Sequence, residues 1–243
     1  MIRSLIASLQ FLTRLPIPGQ FEADELGRSI NLFAVGGLVI GAAAGGVSYL
    51  LQRLGCPWTI RAVCITVFLA GVTGGMHLDG VADTFDGLMS GKRGEKLLEV
   101  MRDSRIGTMG AVALWAVLSL KAASIAAIPD PLTALLLACG AGRACLTGGL
   151  AFFPYAGGGL AAAFAPHAKK NWAGGVWLIL LEVGLIFGSS SLAVFVALAC
   201  AAGTAFCLDL RCQRLLGGIT GDVLGASCET AEAVCLAVYA LLS

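Results

Sequence analysis

Three aspartates and a histidine stand within GGMHLDGVADTFDGL (Gly74 to Leu88). Asp79, Asp83 and Asp86 are spaced i, i+4, i+7, so on a helix all three carboxylates project from one face. Like charges at that spacing repel, and the cost rises as solvation falls. A divalent cation removes the conflict, and carboxylate oxygens with room for water and a substrate phosphate suit Mg²⁺. The competing reading is a solvated helix face. Against it stand the uncharged neighbours Gly80, Val81 and Ala82, and Thr84 and Phe85. His77 is open to three roles: metal ligand, general base, or hydrogen-bonding residue capping the cluster.

Shortly downstream, EVMRDSRIGTMG (Glu99 to Gly110) carries Arg102, Asp103 and Arg105 at the entrance to an apolar segment. A guanidinium fork binds phosphate bidentately. The same arginines also fit the plainer role of positive anchors at a membrane surface. If the two stretches face each other, the aspartates hold a metal and the arginines hold phosphate oxygens of one substrate. A second polar group, LLGGITGDVLGASCETAE (Leu215 to Glu232), sets Asp222, Glu229 and Glu232 broadly along one side of the last apolar segment. Carboxylates inside a span point to function by default. Asp222, beside flexible glycines at the segment's end, is the site candidate of the three. Glu229 and Glu232 fit an ion-pair network with Arg143 equally well. Glu182 shows no partner in the sequence, and His167, next to Lys169 and Lys170, reads as a solvated loop histidine.

The elements that must position these groups follow from composition. The chain has 243 residues, 58% of them hydrophobic and 13% charged, a balance far from the globular average. Segments long enough to cross a bilayer recur along nearly its whole length, which implies an all-α polytopic membrane protein forming a single integral membrane domain over residues 1–243. The expected segments are Arg28 to Leu54, Pro57 to Met76, Ile106 to Ile128, Pro131 to Ala151, Trp172 to Gly188, Ser191 to Leu208 and Ile219 to Leu242, about seven transmembrane helices. The aspartate stretch is expected on a helix continuing from the second. The start, MIRSLIASLQFLTRLPIPG, is amphipathic, lacks a small-residue cleavage site and is stopped by Pro16 and Pro18, so it reads as an interfacial helix and not a signal peptide. Leu97, Leu98 and Met101 fall together on a cytoplasmic amphipathic helix at the membrane surface.

Connectors near Gly55, Pro129 and Ser190 are short, whereas His77 to Arg105, Phe152 to Asn171 and Asp209 to Gly218 are longer and polar. The long ones carry Lys92, Arg93, Lys96, Arg102, Arg105, Lys169, Lys170, Arg211 and Arg214, which with Arg3 and Arg14 lie on one side of a seven-span arrangement. The positive-inside rule makes that side, and the N-terminus, cytoplasmic. Arg53 and Arg61 are left on the other. A net charge of +1 with scattered basic residues excludes a nucleic-acid partner. The nine cysteines show no CxxC or metal-ligand spacing and read as packing residues. AVGGLVIGAAAGG (Ala34 to Gly46) lies inside a span and reads as close helix packing through small residues.

The strings FLTRLPIP, GGMHLDGVADTFDGL, MRDSRIGTMG and GGITGDVLGA, in this order across nearly all of the chain, resemble the cobalamin synthase family of adenosylcobinamide-GDP ribazoletransferases. The resemblance implies a Mg²⁺-dependent multi-pass enzyme of the bacterial inner membrane. It would join adenosylcobinamide-GDP to α-ribazole or its 5′-phosphate, with release of GMP. It maps the aspartate motif to His77, Asp79, Asp83 and Asp86, the arginine motif to Arg102, Asp103, Ser104 and Arg105, and the C-terminal motif to Thr220, Gly221 and Asp222; Arg143 is a further substrate-binding candidate. Where many members have an arginine after the YA of the second long connector, this chain has Gly157, which puts a cation's role there in question. Two other readings share the features. A CDP-alcohol phosphotransferase performs the same displacement at a membrane, and DGVAD is loosely like its motif without matching the spacing. A cation- or proton-coupled transporter would need acids near the midplane and an inverted repeat. No repeat is visible, and the richest acids lie at a segment end. The preference for free or phosphorylated ribazole, the number of metal ions and the oligomeric state are left open by the sequence.

Overall fold

The computed structural model describes residues 2–158, 160–168, 170–187 and 190–243, the side chains at 160, 170–175, 178, 182 and 187 excepted. Lys169 and the side chains of Lys170 and Glu182 therefore lie outside the described residues. The chain order is α1 (Ile2–Leu12), α2 (Ala23–Arg28) leading through a 3₁₀ turn (Ser29–Leu32) into α3 (Phe33–Arg53), α4 (Trp58–Thr73), α5 (Met76–Met89), α6 (Glu95–Met101), α7 (Thr108–Ala127), α8 (Leu132–Phe152), α9 (Lys170–Phe187), α10 (Ser191–Leu216) and α11 (Gly221–Leu242). Among the described residues the only β pairing is an isolated bridge between Tyr155 and Ile219.

Each of the seven apolar segments meets a helix. Among the described residues five stretches, Ala23–Arg53, Thr108–Ala127, Leu132–Phe152, Ser191–Leu216 and Gly221–Leu242, are long and apolar enough to cross a membrane, and α4 with α5 makes a sixth if counted as one bent span. The bundle is a multi-pass membrane architecture. Large apolar side chains such as Trp115, Phe195 and Ile186 face outward, as a lipid environment permits. At its centre α11 packs against α5, α7, α8 and α10, while α3 packs against α8. The glycine-rich stretch of α3 does close packing. A Cβ at Gly37 would fall 2.2 Å from the Cys139 carbonyl oxygen, and one at Gly41 would fall 2.5 Å from that of Leu135. At one end of the bundle Arg61 stacks over the Trp58 ring at 3.7 Å and donates to the Pro129 carbonyl at 3.4 Å.

Three expectations need correction. The aspartate helix does not continue from the second segment. Gly74 and Gly75 both adopt left-handed backbone (φ +65° and +69°), and α5 turns 93° from α4. Residues with a side chain rarely take two such steps in succession. Second, the third long connector is short, because α10 runs on to Leu216 and carries Asp209, Arg211 and Arg214 as helical residues. Asp209 lies inside that helix, where its carboxylate accepts a 2.6 Å hydrogen bond from Ser227 on α11, and the helix ends at Gly217 in left-handed backbone. The expected surface helix α6 packs its apolar face partly inward: Leu97 and Met101 are buried, both against Gly87 of α5. Third, His167 is not a free loop residue. Its Nε2 lies 3.5 Å from Asp24 and its carbonyl accepts from Asn31.

Candidate active site

α5 lies across one end of the bundle, and its position is set by backbone contact with α11. A Cβ at Gly80 would fall 2.5 Å from the Asp222 carbonyl oxygen, and one at Gly225 would fall 3.1 Å from the His77 Cα. That approach brings the Asp79 and Asp83 side of α5 beside Asp222, the second residue of α11. The helix starts where the Thr220 hydroxyl accepts from the Val223 amide at 3.3 Å, an N-cap that satisfies one of the unpaired first-turn donors. The carboxylates of Asp79, Asp222 and Asp86 all repel charge on Asp83, and Asp79 acts in the same sense on Asp222. Arg102 is the cation that offsets Asp222.

The three-aspartate stripe is thereby divided. Asp86 accepts from the amides of Gly107 (2.7 Å) and Gly110 (2.8 Å), the first turn of α7, so both of its oxygens are engaged. Its place on the stripe is taken by Asp222. Among the described residues no three His, Cys, Asp or Glu side chains gather into a ready metal-ligand set. Mg²⁺ does not require one, since it keeps several waters and is commonly held by one or two carboxylates together with substrate phosphate. Two hard carboxylates from α5, a third from α11 and an open approach suit that mode.

The arginine motif forms the exposed link between α6 and α7. Arg102 pairs with Glu95 at 3.2 Å, and Arg105 grips Asp103 with two guanidinium nitrogens at 3.0 and 2.7 Å. These hydrogen bonds hold the Asp103 carboxyl down at about 2. Ser104 is exposed between them. The link is held at the site end, where Asp86 binds the start of α7 and the Gly94 amide donates to the Leu215 carbonyl at 2.8 Å. The connector after α8 joins the same end, with the Ile219 amide on the Pro154 carbonyl (2.8 Å) and the Ala156 amide on the Ile219 carbonyl (2.9 Å). A Cβ at Gly157 would fall 2.7 Å from the Tyr155 hydroxyl oxygen.

A cavity of about 230 Å³ opens beside Asp79 and Asp222. Its walls include Phe11, Phe33, Phe164, Leu146 and Leu150, and His77 lies in its lining. His77 is itself buried, with Nδ1 3.7 Å from the Cys228 sulfur.

Deeper in the bundle lies a group that sequence reasoning saw only in part. Lys121 on α7 reaches Glu229 (2.5 Å) and Glu232 (2.6 Å) on α11, and Arg143 on α8 pairs with Glu232. All four side chains are almost fully buried. The structure thus takes Arg143 into a balanced ion network and not to the acid cluster. Lys121 was missed, although a single cation within an otherwise apolar 20-residue helix was the available signal. Asp209, 2% exposed, was missed because it was assigned to a connector.

The model of the cobalamin-5-phosphate synthase family matches residues 4–240 of this chain. Three curated relatives, each named adenosylcobinamide-GDP ribazoletransferase, align over nearly their whole length. That of Roseiflexus sp. is 43% identical over 96% of this chain and 88% of its own. Those of Klebsiella pneumoniae and Herpetosiphon aurantiacus are 35% and 37% identical, covering 96% and 100% of this chain and 97% and 98% of theirs. No solved structure matches the chain.

Proposed function

This chain belongs to the cobalamin-5-phosphate synthase family, and on that premise we propose that it joins adenosylcobinamide-GDP to α-ribazole or its 5′-phosphate, releasing GMP. It is an enzyme of cobalamin biosynthesis, and what remains to be argued is how its own residues carry the reaction. The observation that supports the reading best is the meeting of Asp79, Asp83 and Asp222 from two helices, with an apolar cavity adjoining.

The reaction is a displacement at phosphorus. The ribose hydroxyl oxygen bonds to the phosphorus that carries cobinamide, the bond from that phosphorus to the bridging oxygen breaks, and GMP leaves with that oxygen. A bound Mg²⁺ would neutralise diphosphate charge and acidify the hydroxyl, and Asp79, Asp83 and Asp222 are the residues that would hold it. Asp86 is left to position α7. Arg102 meets phosphate oxygens as Glu95 releases it, and Arg105 does so more weakly because Asp103 already occupies its fork. The hydroxyl proton passes to a carboxylate of the cluster. His77 is a poor alternative base, since it is buried with its Nδ1 against the Cys228 sulfur.

The site end also carries Arg3, Arg14, Lys92, Arg93, Lys96, Arg211 and Arg214. By the positive-inside rule this end, with the N-terminus, faces the cytoplasm of a bacterial inner membrane. The test is incubation of purified chain with the GDP-activated corrinoid, ribazole and Mg²⁺. Ribazole-dependent GMP release, lost on chelation, is expected. CMP release from a CDP-alcohol, with no GMP from the corrinoid, would move the assignment to a phospholipid-type transferase.

A further inference from the structure

We propose that the cavity beside Asp79 and Asp222 receives the bicyclic aromatic base of ribazole, with its ribose turned toward the two carboxylates; this rests on the transferase reading above. The cavity is two-faced. Phe11 from α1, Phe33 from α3 and Phe164 from the connector after α8 form a mutually packed aromatic trio with ring centroids 5.4, 4.7 and 5.2 Å apart. Leu146 and Leu150 of α8 extend that wall, and the ionisable side chains in the lining are His77, Asp79 and Asp222. Such a site takes a flat apolar body that ends in a polar group.

Of the groups the two reactants bring, one has that shape. The corrin macrocycle is far too large for about 230 Å³. Guanine and the adenine of the adenosyl group are flat and bicyclic, but their edges carry several donors and acceptors. Each left unpaired against phenylalanine and leucine would keep the cost of its lost hydration. A benzimidazole presents a hydrocarbon edge, and one of its two nitrogens is taken by the glycosidic bond. Connectivity agrees with the chemistry, because the attacking hydroxyl belongs to the ribose attached to that base. A base seated among the phenylalanines leaves its ribose toward Asp79 and Asp222, the carboxylates in the same lining. Guanosine is on the leaving group and has no need to lie on that side.

Two substitutions that narrow the cavity test this: Leu150→Phe inside the bundle and Ala161→Leu on the connector, where Ala161 joins the lining. Each is expected to raise KM for ribazole about tenfold or more and to leave KM for the GDP-corrinoid within about twofold. In wild-type protein, free 5,6-dimethylbenzimidazole should compete with ribazole and not with the GDP-corrinoid, a result independent of whether either variant folds. The assignment is overturned if narrowing raises KM for the GDP-corrinoid alone, if neither KM moves in folded variants, or if dimethylbenzimidazole fails to compete with ribazole. Wild type that releases no GMP from the two substrates overturns the transferase reading itself, so the two failures are told apart.

Discussion

Two groups of charge occupy α11 within three helical turns of each other, and they are built on opposite plans. At the helix start, Asp222 joins Asp79 and Asp83 in a cluster where carboxylates repel one another and Arg102 is the cation that answers Asp222. Further in, Glu229 and Glu232 meet Lys121 and Arg143, two negative charges with two positive, all almost fully buried. A charge deep in the bundle must be balanced by the chain itself, because removing it from water is costly without a partner. An unbalanced group is sustainable only where water, an ion or a substrate reaches it. The inner network is therefore a structural device, and under the proposed function the imbalance at the helix start is what Mg²⁺ and substrate would complete.

The sharpest way to break that contrast is to unbalance the inner network. Lys121→Met strands Glu229 and Glu232 in the bundle and is expected to cost about 3–5 kcal/mol of stability, seen as loss of folded protein from membranes. Lys121→Met combined with Glu229→Gln should recover part of it. A single variant with unchanged thermal stability would remove the structural role.

The outer cluster should respond in the reverse way. Asp79→Asn is expected to lower turnover about 100-fold or more, equivalent to about 2.7 kcal/mol of transition-state stabilisation. Thermal stability should be unchanged or higher, because repulsion with Asp83 and Asp222 is relieved. Asp222→Asn should behave alike. An active Asp79→Asn enzyme at limiting Mg²⁺ would overturn the placement of the metal on these carboxylates.

A smaller effect separates the two arginines. Arg102→Lys is expected to lower kcat/KM for the GDP-corrinoid about tenfold, or about 1.4 kcal/mol, because lysine gives a point charge in place of a planar fork. Arg105→Lys should do less, its fork being held by Asp103. Equal kinetics of both variants with wild type would return both arginines to anchoring the membrane surface.

The smallest change concerns Asp86. If it holds the start of α7, Asp86→Ala should cost about 1 kcal/mol of stability, the usual scale for a lost helix cap. Asp86→Asn, which retains an accepting oxygen, should be nearly neutral in stability and far milder in turnover than Asp79→Asn. A loss of turnover as deep as that of Asp79→Asn would restore Asp86 to the metal-binding group.

The sequence by itself determined the class of fold and the chemistry at stake. Unbroken apolar segments can satisfy their backbone in lipid only as helices, and aspartates at i, i+4, i+7 share a helical face wherever that helix lies. Small residues along Gly37 and Gly41 foretold close packing, though not that α8 is the partner. Two adjacent glycines at 74 and 75 were a legible break, passed over because apolar residues flank them on both sides. Tertiary structure alone decided which charges are partners. Asp86, Asp83 and Asp79 are equivalent by spacing, and only the approach of α7 on one side and α11 on the other gives Asp86 two backbone amides and gives Asp79 and Asp83 the company of Asp222. Likewise Lys121 and Glu229 stand 108 residues apart, and no local pattern pairs them. Helical periodicity fixes the face a side chain occupies, whereas the energy of a charge depends on whatever the rest of the chain brings to that face.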